Sequence, residues 1–290
     1  RTVGRNVVTT VGSEIVSTSA FSLSAGFVVL ICIGATLLCS NLIGIPASTS
    51  MVAVGAMAGM GIGSAGVEWT VLARILRWWL LAPALAFGIA AAIGRWQYEE
   101  VAARFGIDRP DTSPVTVRWP GLSPRIRVAD TASRSDIAST LLLVVIACYM
   151  GFSAGASNVA NAVAPLVGSG TLSLDFGILV AVGAISVGAF TIARRTMETV
   201  GNDLTALPLT GACIVATIGA TITTFLSYIG IPASLALSTI AAVIGLGWGR
   251  TRRGKSRTAP SLPATREETD RCDTSPSYAV HPSAVTLLQG

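Results

Sequence analysis

The hexapeptide IGIPAS occurs twice in this chain, at residues 43–48 and again at 229–234. An earlier landmark is repeated as well, because RNVVTTVG at 5–12 matches RRTMETVG at 194–201 in one arginine and in Thr-Val-Gly. The landmarks follow the same order and nearly the same spacing in both places. This arrangement predicts two copies of one structural unit, which is a common feature of secondary transporters.

A glycine pattern closes each copy. GMGIG at 59–63 and GLGWG at 245–249 lie at the same offset as the two hexapeptides. Small residues four apart let helix backbones approach each other closely in a membrane. We therefore predict close helix packing at Gly55, Gly59 and Gly63, and likewise at Gly245 and Gly249.

The composition is that of a membrane protein. Hydrophobic residues make up 51% of the chain and charged residues only 12%, and the mean hydropathy is +0.67. Soluble domains carry about a quarter charged residues. We predict an all-α fold, a polytopic transmembrane helical bundle with inverted-topology repeats and broken or re-entrant helices. The predicted spans are residues 20–43, 49–66, 75–94, 138–156, 174–193, 207–228 and 233–249.

The basic residues indicate the orientation in the membrane. RTRRGKSR at 250–257 carries five of them directly after the last predicted span. Cytoplasmic loops of membrane proteins are enriched in lysine and arginine. We therefore expect a multi-pass protein of the cell membrane with a cytoplasmic C-terminus, whose basic character reflects contact with the lipid bilayer and not with nucleic acid. Counting the predicted spans back from this C-terminus gives the two repeats opposite orientations in the membrane.

Four segments follow from these spans. Residues 1–94 are expected to form the C-terminal part of the first transmembrane repeat, and 138–249 the second repeat. The polar stretch 95–137 is expected to be a cytoplasmic linker, a loop with one amphipathic piece. Residues 250–290 are expected to be a basic and then disordered cytoplasmic tail.

The last residues of each hexapeptide, together with those that follow the first one, suit a helix N-terminus. Proline favours the first turn of a helix, and serine or threonine oxygens meet the N–H groups that the helix leaves free. Such an N-terminus attracts anions. We predict that Ser48, Thr49, Ser50 and Ser234 bind an anionic substrate; the alternative is a simple turn before an ordinary span.

GASNVANA at 155–162 places polar side chains beside an apolar run. Ser157 and Asn161 share a helix face because they are four residues apart, and Asn158 points beside them. Polar groups at this depth need protein partners or a water-filled cavity. We predict a substrate site here, with a helix break favoured by Pro165; the alternative is hydrogen bonding between helices.

The sequence also contains a pattern that is typical of one class of enzymes. GFSAG at 151–155 fits the G-x-S-x-G pattern of serine hydrolases, which requires a strand–turn–helix context and a histidine. The only histidine, His281, lies in the polar tail. We therefore predict a protein that is not an enzyme.

The motifs together resemble the inorganic phosphate transporter (PiT) family. GASNVANAVAPL is similar to that family's GANDVANA-type signature, and TVG followed by a span and IPASTS is similar to its TVG and PVSTTH-like elements. The resemblance covers most of 1–66 and 140–249. It implies a fold of inverted repeats, each with one GANDVANA-like and one STTH-like element, that moves phosphate or sulfate with sodium ions or protons.

The chain departs from the family at several of these positions. Ser157 replaces an asparagine and Asn158 replaces the aspartate, so proton coupling through this position is not expected and sodium binding is weakened. Ser48 and Thr49 match the STTH-like element, whereas only Ser234 remains in the second copy, before Leu235, Ala236 and Leu237. The first GANDVANA-like element would lie upstream of Arg1, so we expect an incomplete first repeat.

The resemblance implies a secondary active transporter of inorganic phosphate, coupled to sodium or protons and working by alternating access. Substrate-binding residues would be Ser48, Thr49, Ser50, Ser157, Asn158, Asn161 and Ser234, with Asn158 and Asn161 as candidate sodium ligands. No cofactor other than a bound sodium ion is expected, and a homodimer is left open. The alternatives are a sulfate or other oxyanion permease and a phosphate-binding sensor that does not transport.

Overall fold

Helices account for nearly all of the described chain. The computed structural model describes residues 3–16, 22–43, 47–64, 66–105, 115–118, 125–128, 134–188 and 209–257. The helices are α1 (Arg5–Thr9), which continues into a π-helical turn (Thr10–Glu14), α2 (Leu23–Ile43), α3 (Thr49–Gly63), α4 (Trp69–Trp96), α5 (Tyr98–Phe105), α6 (Arg134–Gly168), α7 (Leu174–Gly188), α8 (Leu209–Tyr228) and α9 (Leu235–Arg257). Each of the seven predicted spans coincides with one of these helices.

Four of the helices are long and apolar enough to cross a membrane, namely α2, α4, α6 and α8. α3 has only 15 residues. At 1.5 Å per residue it is about 22 Å long, short of the roughly 30 Å hydrocarbon core of a bilayer. α3 is therefore too short to cross the hydrocarbon core as a straight helix on its own.

The predicted helix break at Pro165 is wrong. α6 includes Pro165 and ends three residues later, at Gly168. A proline lacks the N–H that would bond to the carbonyl four residues earlier, but neighbouring groups can compensate for one lost bond in a membrane helix. The GASNVANA motif thus lies inside a continuous helix of 35 residues.

The polar linker contains more structure than the sequence indicated. α5 is the predicted amphipathic piece, with Glu99 and Glu100 in its first turn and Arg104 in its last. A two-stranded antiparallel sheet, in which β1 (Val115–Arg118) pairs with β2 (Arg125–Val128), was not predicted. Each strand alternates apolar and polar residues, which is the period of a half-exposed strand.

Residues 1–256 form one compact unit. One core packs α1 and its π-helical turn against α3, α6 and the segment after α8, and a second core joins α4, α5, α8 and α9. The second unit, residues 257–290, begins at the last residue of α9. Residues 250–257 of the predicted tail continue α9, whereas residues 258–290 and the second Thr-Val-Gly landmark lie outside the described residues.

Large apolar side chains also cover the outside of the helices. Ile31, Leu141 and Leu179 are each more than 60% exposed, and they lie on α2, α6 and α7. Exposed apolar surface of this extent marks contact with lipid or another apolar phase. The chain is an all-α polytopic membrane protein, as predicted.

Candidate functional site

The two repeated hexapeptides end in the same helix cap. Ser48 precedes α3 with extended backbone, and its Oγ accepts a hydrogen bond from the N–H of Met51 at 3.4 Å. Ser234 precedes α9, and its Oγ accepts from the N–H of Leu237 at 3.3 Å. The first N–H groups of a helix have no partner within the helix. Both helices therefore begin with free backbone donors beside a serine hydroxyl.

These two helix starts face one cavity of about 450 Å³. The middle of α6 forms the wall between them. Five of the seven predicted site residues line the cavity: Ser48, Thr49, Ser157, Asn158 and Ser234. The fold thus brings together three motifs that are widely separated in sequence.

Hydrogen bonds join the first helix start to α6. The Thr49 hydroxyl donates to Oδ1 of Asn158 at 2.6 Å. The side-chain amide of Asn161 donates from Nδ2 to the Ser50 hydroxyl at 2.9 Å. The first bond fixes the Asn158 side chain at the cavity, where it remains exposed, and the second joins α6 to α3 through buried residues.

The start of α9 is held in place by hydrogen bonds to the backbone carbonyls of the residues that precede it. Ser50 and Ser157 both donate to the carbonyl oxygen of Ala233, at 2.8 and 3.0 Å. The indole N–H of Trp79 on α4 donates to the carbonyl oxygen of Pro232 at 2.7 Å. Gly230 reverses the chain before this turn with a φ of +80°, a conformation that favours glycine. The turn is consequently anchored from α3, α4 and α6 together.

Ser50 and Asn161 lie behind the cavity wall. They are 1% and 2% exposed, and neither is among the residues that line the cavity. Oδ1 of Asn161 is buried and has no hydrogen-bond partner in the described part of the chain. Buried polar atoms are rarely left unpaired, so this oxygen is available to a bound ion or water.

Two residues of the site were not predicted from the sequence. Thr239 lines the cavity, and its hydroxyl donates to the carbonyl oxygen of Leu235 at 2.8 Å. Its position four residues after Leu235, on the same face of α9, could have indicated this. The local sequence around Trp79 does not indicate its role, because that role depends on the packing of α4 against the turn that precedes α9.

The cavity is electrically neutral in its side chains. None of its described lining residues is charged, and the apolar part of the wall consists of alanine, methionine, leucine and isoleucine side chains. No cluster of three or more histidine, cysteine, aspartate or glutamate side chains is found among the described residues. The two helix N-termini therefore provide the positive potential of the cavity.

The hydrolase motif has no catalytic geometry. Ser153 lies inside α6 and is fully buried, and its hydroxyl donates to the carbonyl oxygen of Ala220 at 3.0 Å. A nucleophilic serine would need an exposed hydroxyl on a sharp turn. In this chain the motif is part of the packing between α6 and α8.

We expect Ser50→Ala to weaken oxyanion binding about tenfold. The substitution leaves the buried Nδ2 of Asn161 without its partner, whereas Ala233 still accepts from Ser157. One such loss costs about 1–3 kcal/mol, and a tenfold change in affinity is about 1.4 kcal/mol. The measurement is equilibrium binding of labelled phosphate or sulfate to the purified protein. Ser186→Ala is the matched control, because Ser186 is exposed and donates only within its own helix, to Val182. Equal affinities of the two variants would contradict the role of Ser50.

Known proteins resemble this chain over most of its length. The sequence profile of the phosphate transporter family matches residues 1–266. The sulfate permease CysP of Bacillus subtilis (strain 168) is 28% identical over 248 residues, which are 85% of this chain and 62% of that protein. A putative phosphate permease of Pyrococcus furiosus is 24% identical, over 75% of this chain and 67% of its own length. The chain thus spans about two thirds of the length of these relatives.

A solved structure has the same fold. It is described as the sodium-dependent phosphate transporter and superposes with a TM-score of 0.56 at 19% sequence identity. The match covers 86% of this chain and 80% of that structure. Together with the profile match over residues 1–266, these similarities lead to one conclusion: the chain belongs to the phosphate transporter family.

Proposed function

We propose that the protein is a secondary active transporter that carries inorganic phosphate across the cell membrane together with sodium ions. The observation that supports this most directly is the shared cavity, in which two capped helix N-termini face the polar side chains of α6. Helix N-termini that meet within a membrane protein are suited to an anionic substrate.

The substrate contacts follow from the donors around the cavity. Ser48, Thr49 and Ser234 lie at the helix starts, and Ser157 and Asn158 lie opposite them on α6. We assign the phosphate oxygens to the hydroxyls of Ser48 and Ser234, the amide of Asn158 and the free N–H groups of α3 and α9. Thr49 and Ser157 instead donate to protein oxygens and offer hydroxyl oxygens as acceptors. Ser50 and Asn161 hold these elements in position from behind.

Sodium is the proposed coupling ion. A sodium site in a transporter is formed by oxygen atoms, including backbone carbonyls and side-chain amides. Oδ1 of Asn161 is buried without a partner among the described residues, and Oδ1 of Asn158 accepts one hydrogen bond from Thr49, which leaves it a second lone pair. Neither amide changes its charge by binding or releasing a proton at physiological pH, which disfavours proton coupling through them.

Alternating access would arise from the two repeats. The first set of sequence landmarks runs from α1 to α3, and the described part of the second set runs from the end of α8 into α9. In this proposal the repeats have opposite orientations, the cavity lies near the middle of the membrane, and the C-terminus is cytoplasmic. Relative motion of the repeats then opens the cavity to one side at a time.

The test is uptake of labelled phosphate by proteoliposomes that contain the full-length protein. We expect uptake above that of empty vesicles when an inward sodium gradient is imposed, and a large decrease when potassium replaces sodium. A matched preparation with a pH gradient and no sodium should remain near the empty-vesicle rate. Phosphate binding without uptake would contradict transport and favour the sensor alternative.

A further inference from the structure

We propose that the cavity selects fully ionised dianions, so that sulfate binds at least as tightly as phosphate, and that Asn158 determines this selectivity. This inference rests on the proposed function, because it concerns the substrate of the same cavity. It depends on how the donors and acceptors of the cavity are already used within the protein.

The side chain of Asn158 offers donors to the cavity. Its Oδ1 accepts the hydrogen bond of Thr49 at 2.6 Å, whereas none of the hydrogen bonds in the described residues engages its Nδ2. An asparagine amide has two N–H donors on that nitrogen. Because Thr49 uses one of the two lone pairs of Oδ1 while both N–H groups remain available, the exposed side chain offers a substrate in the cavity more donors than acceptors.

The helix starts add further donors. Ser48 and Ser234 each accept a hydrogen bond from the N–H of the residue three positions later, so the proton of each hydroxyl remains free. The backbone N–H groups of the first helical residues are also free, since a helix leaves its first turn of N–H groups without internal partners. All of these groups donate to a negatively charged oxygen.

The acceptors of the cavity are neutral and few. Thr49, Ser157 and Thr239 each donate their only hydroxyl proton to a protein oxygen, and therefore present neutral hydroxyl oxygens to the cavity. The carbonyl of Ala233 accepts from two serines. None of the described lining residues is a carboxylate, which would be the most effective acceptor for an acidic O–H group.

This pattern distinguishes two anions of similar shape. Sulfate has no proton at physiological pH, and all four of its oxygens accept hydrogen bonds. Phosphate near neutral pH carries at least one P–OH group, which needs an acceptor when it is removed from water, because an unpaired buried donor is costly. A cavity rich in donors and without a carboxylate thus gives phosphate no advantage over sulfate.

The test compares binding of the two anions to the full-length protein in lipid nanodiscs. Sulfate should displace labelled phosphate at an equal or lower concentration than unlabelled phosphate does. Phosphate binding should strengthen from mildly acidic to mildly alkaline pH as the monoanion loses one of its two protons and becomes the dianion, whereas sulfate binding should not change. Phosphate binding that is more than about tenfold tighter than sulfate binding would overturn the proposal.

Two substitutions should change the selectivity in the same direction. Asn158→Asp places a carboxylate in the cavity, and we expect it to weaken sulfate binding at least about tenfold while phosphate remains bound, since a carboxylate repels the dianion and accepts from P–OH. Thr49→Val releases Oδ1 of Asn158 as an acceptor without adding charge. It should shift the affinity ratio about threefold towards phosphate, as expected for one neutral hydrogen bond.

Ser234→Ala is the matched control, because it removes one donor that both anions would use. It should weaken both by a similar factor and leave their ratio unchanged. If both anions bind but Asn158→Asp and Thr49→Val leave the ratio unchanged, the selectivity proposal fails alone. If neither anion binds the unsubstituted protein, the proposed function fails with it.

Discussion

Gly245→Leu should strongly destabilise the folded protein. Gly245 packs directly on the backbone of α4, where an added Cβ would overlap the carbonyl of Phe87. Gly249 lies one turn later against Ala91, and Gly94 of α4 faces back, so that a Cβ there would meet the carbonyl oxygen of Leu246 at 2.6 Å. Because backbone atoms line the contact on both sides, neither helix can accommodate a side chain by changing a rotamer.

The expected destabilisation is about 3 kcal/mol or more, the upper range for overpacking. Gly247→Leu is a sharp control, since Gly247 lies between the two glycines on the same helix and a Cβ added to it would meet nothing within 4 Å. Leucine favours a helix over glycine by roughly 1 kcal/mol, so the control should unfold no earlier than the unsubstituted protein. The measurements are thermal unfolding and the monodisperse fraction after detergent extraction. Equal stability of the two variants would contradict close packing of α4 and α9.

The glycine pattern shows how far such a sequence signal extends. It correctly predicted close packing at Gly245 and Gly249. The same prediction does not hold for Gly55, Gly59 and Gly63, beside which the described chain leaves open space. A small residue permits close approach, but whether a neighbour comes near is decided by tertiary packing that the local pattern does not contain.

The positions of the helices followed from apolar run length, and the ends of both IGIPAS hexapeptides were correctly predicted as helix starts. The helix caps need only one serine oxygen and the next turn's N–H, which are local features. The strands β1 and β2 were missed because their four-residue apolar alternation is short and lies within a proline-rich polar segment. The continuity of α6 through Pro165 was missed because the local rule for proline omits compensation by neighbouring helices.

The motifs that form the candidate site were predictable from the sequence. Which of their residues line the cavity and which lie behind its wall was not. Spacing predicted that Ser157 and Asn161 share a face of α6, and both are buried there. It did not distinguish Asn158, which lines the cavity, from Asn161, which supports the wall. That distinction depends on where α3 and the second turn pack, and so on contacts between residues more than 70 positions apart.

A tryptophan at position 154 should abolish oxyanion uptake without unfolding the protein. Ala154 lies on α6 and lines the cavity one turn before Asn158. Its small side chain leaves the space between α6 and the two helix starts open. An indole group would occupy that space and cover the amide of Asn158 and the hydroxyls opposite it, while the cavity of about 450 Å³ gives it room without displacing the backbone.

We expect uptake of phosphate and sulfate by Ala154→Trp to fall at least about a hundredfold, the loss that follows when several substrate hydrogen bonds are removed at once. Ala147→Trp is the matched control, because Ala147 is an exposed alanine on the same helix and does not line the cavity. Both variants should have similar thermal unfolding profiles, since neither replaces a fully buried side chain. Uptake by Ala154→Trp at the control rate would place the transport path outside this cavity, and the assignment of the helix starts as the anion site would then be wrong.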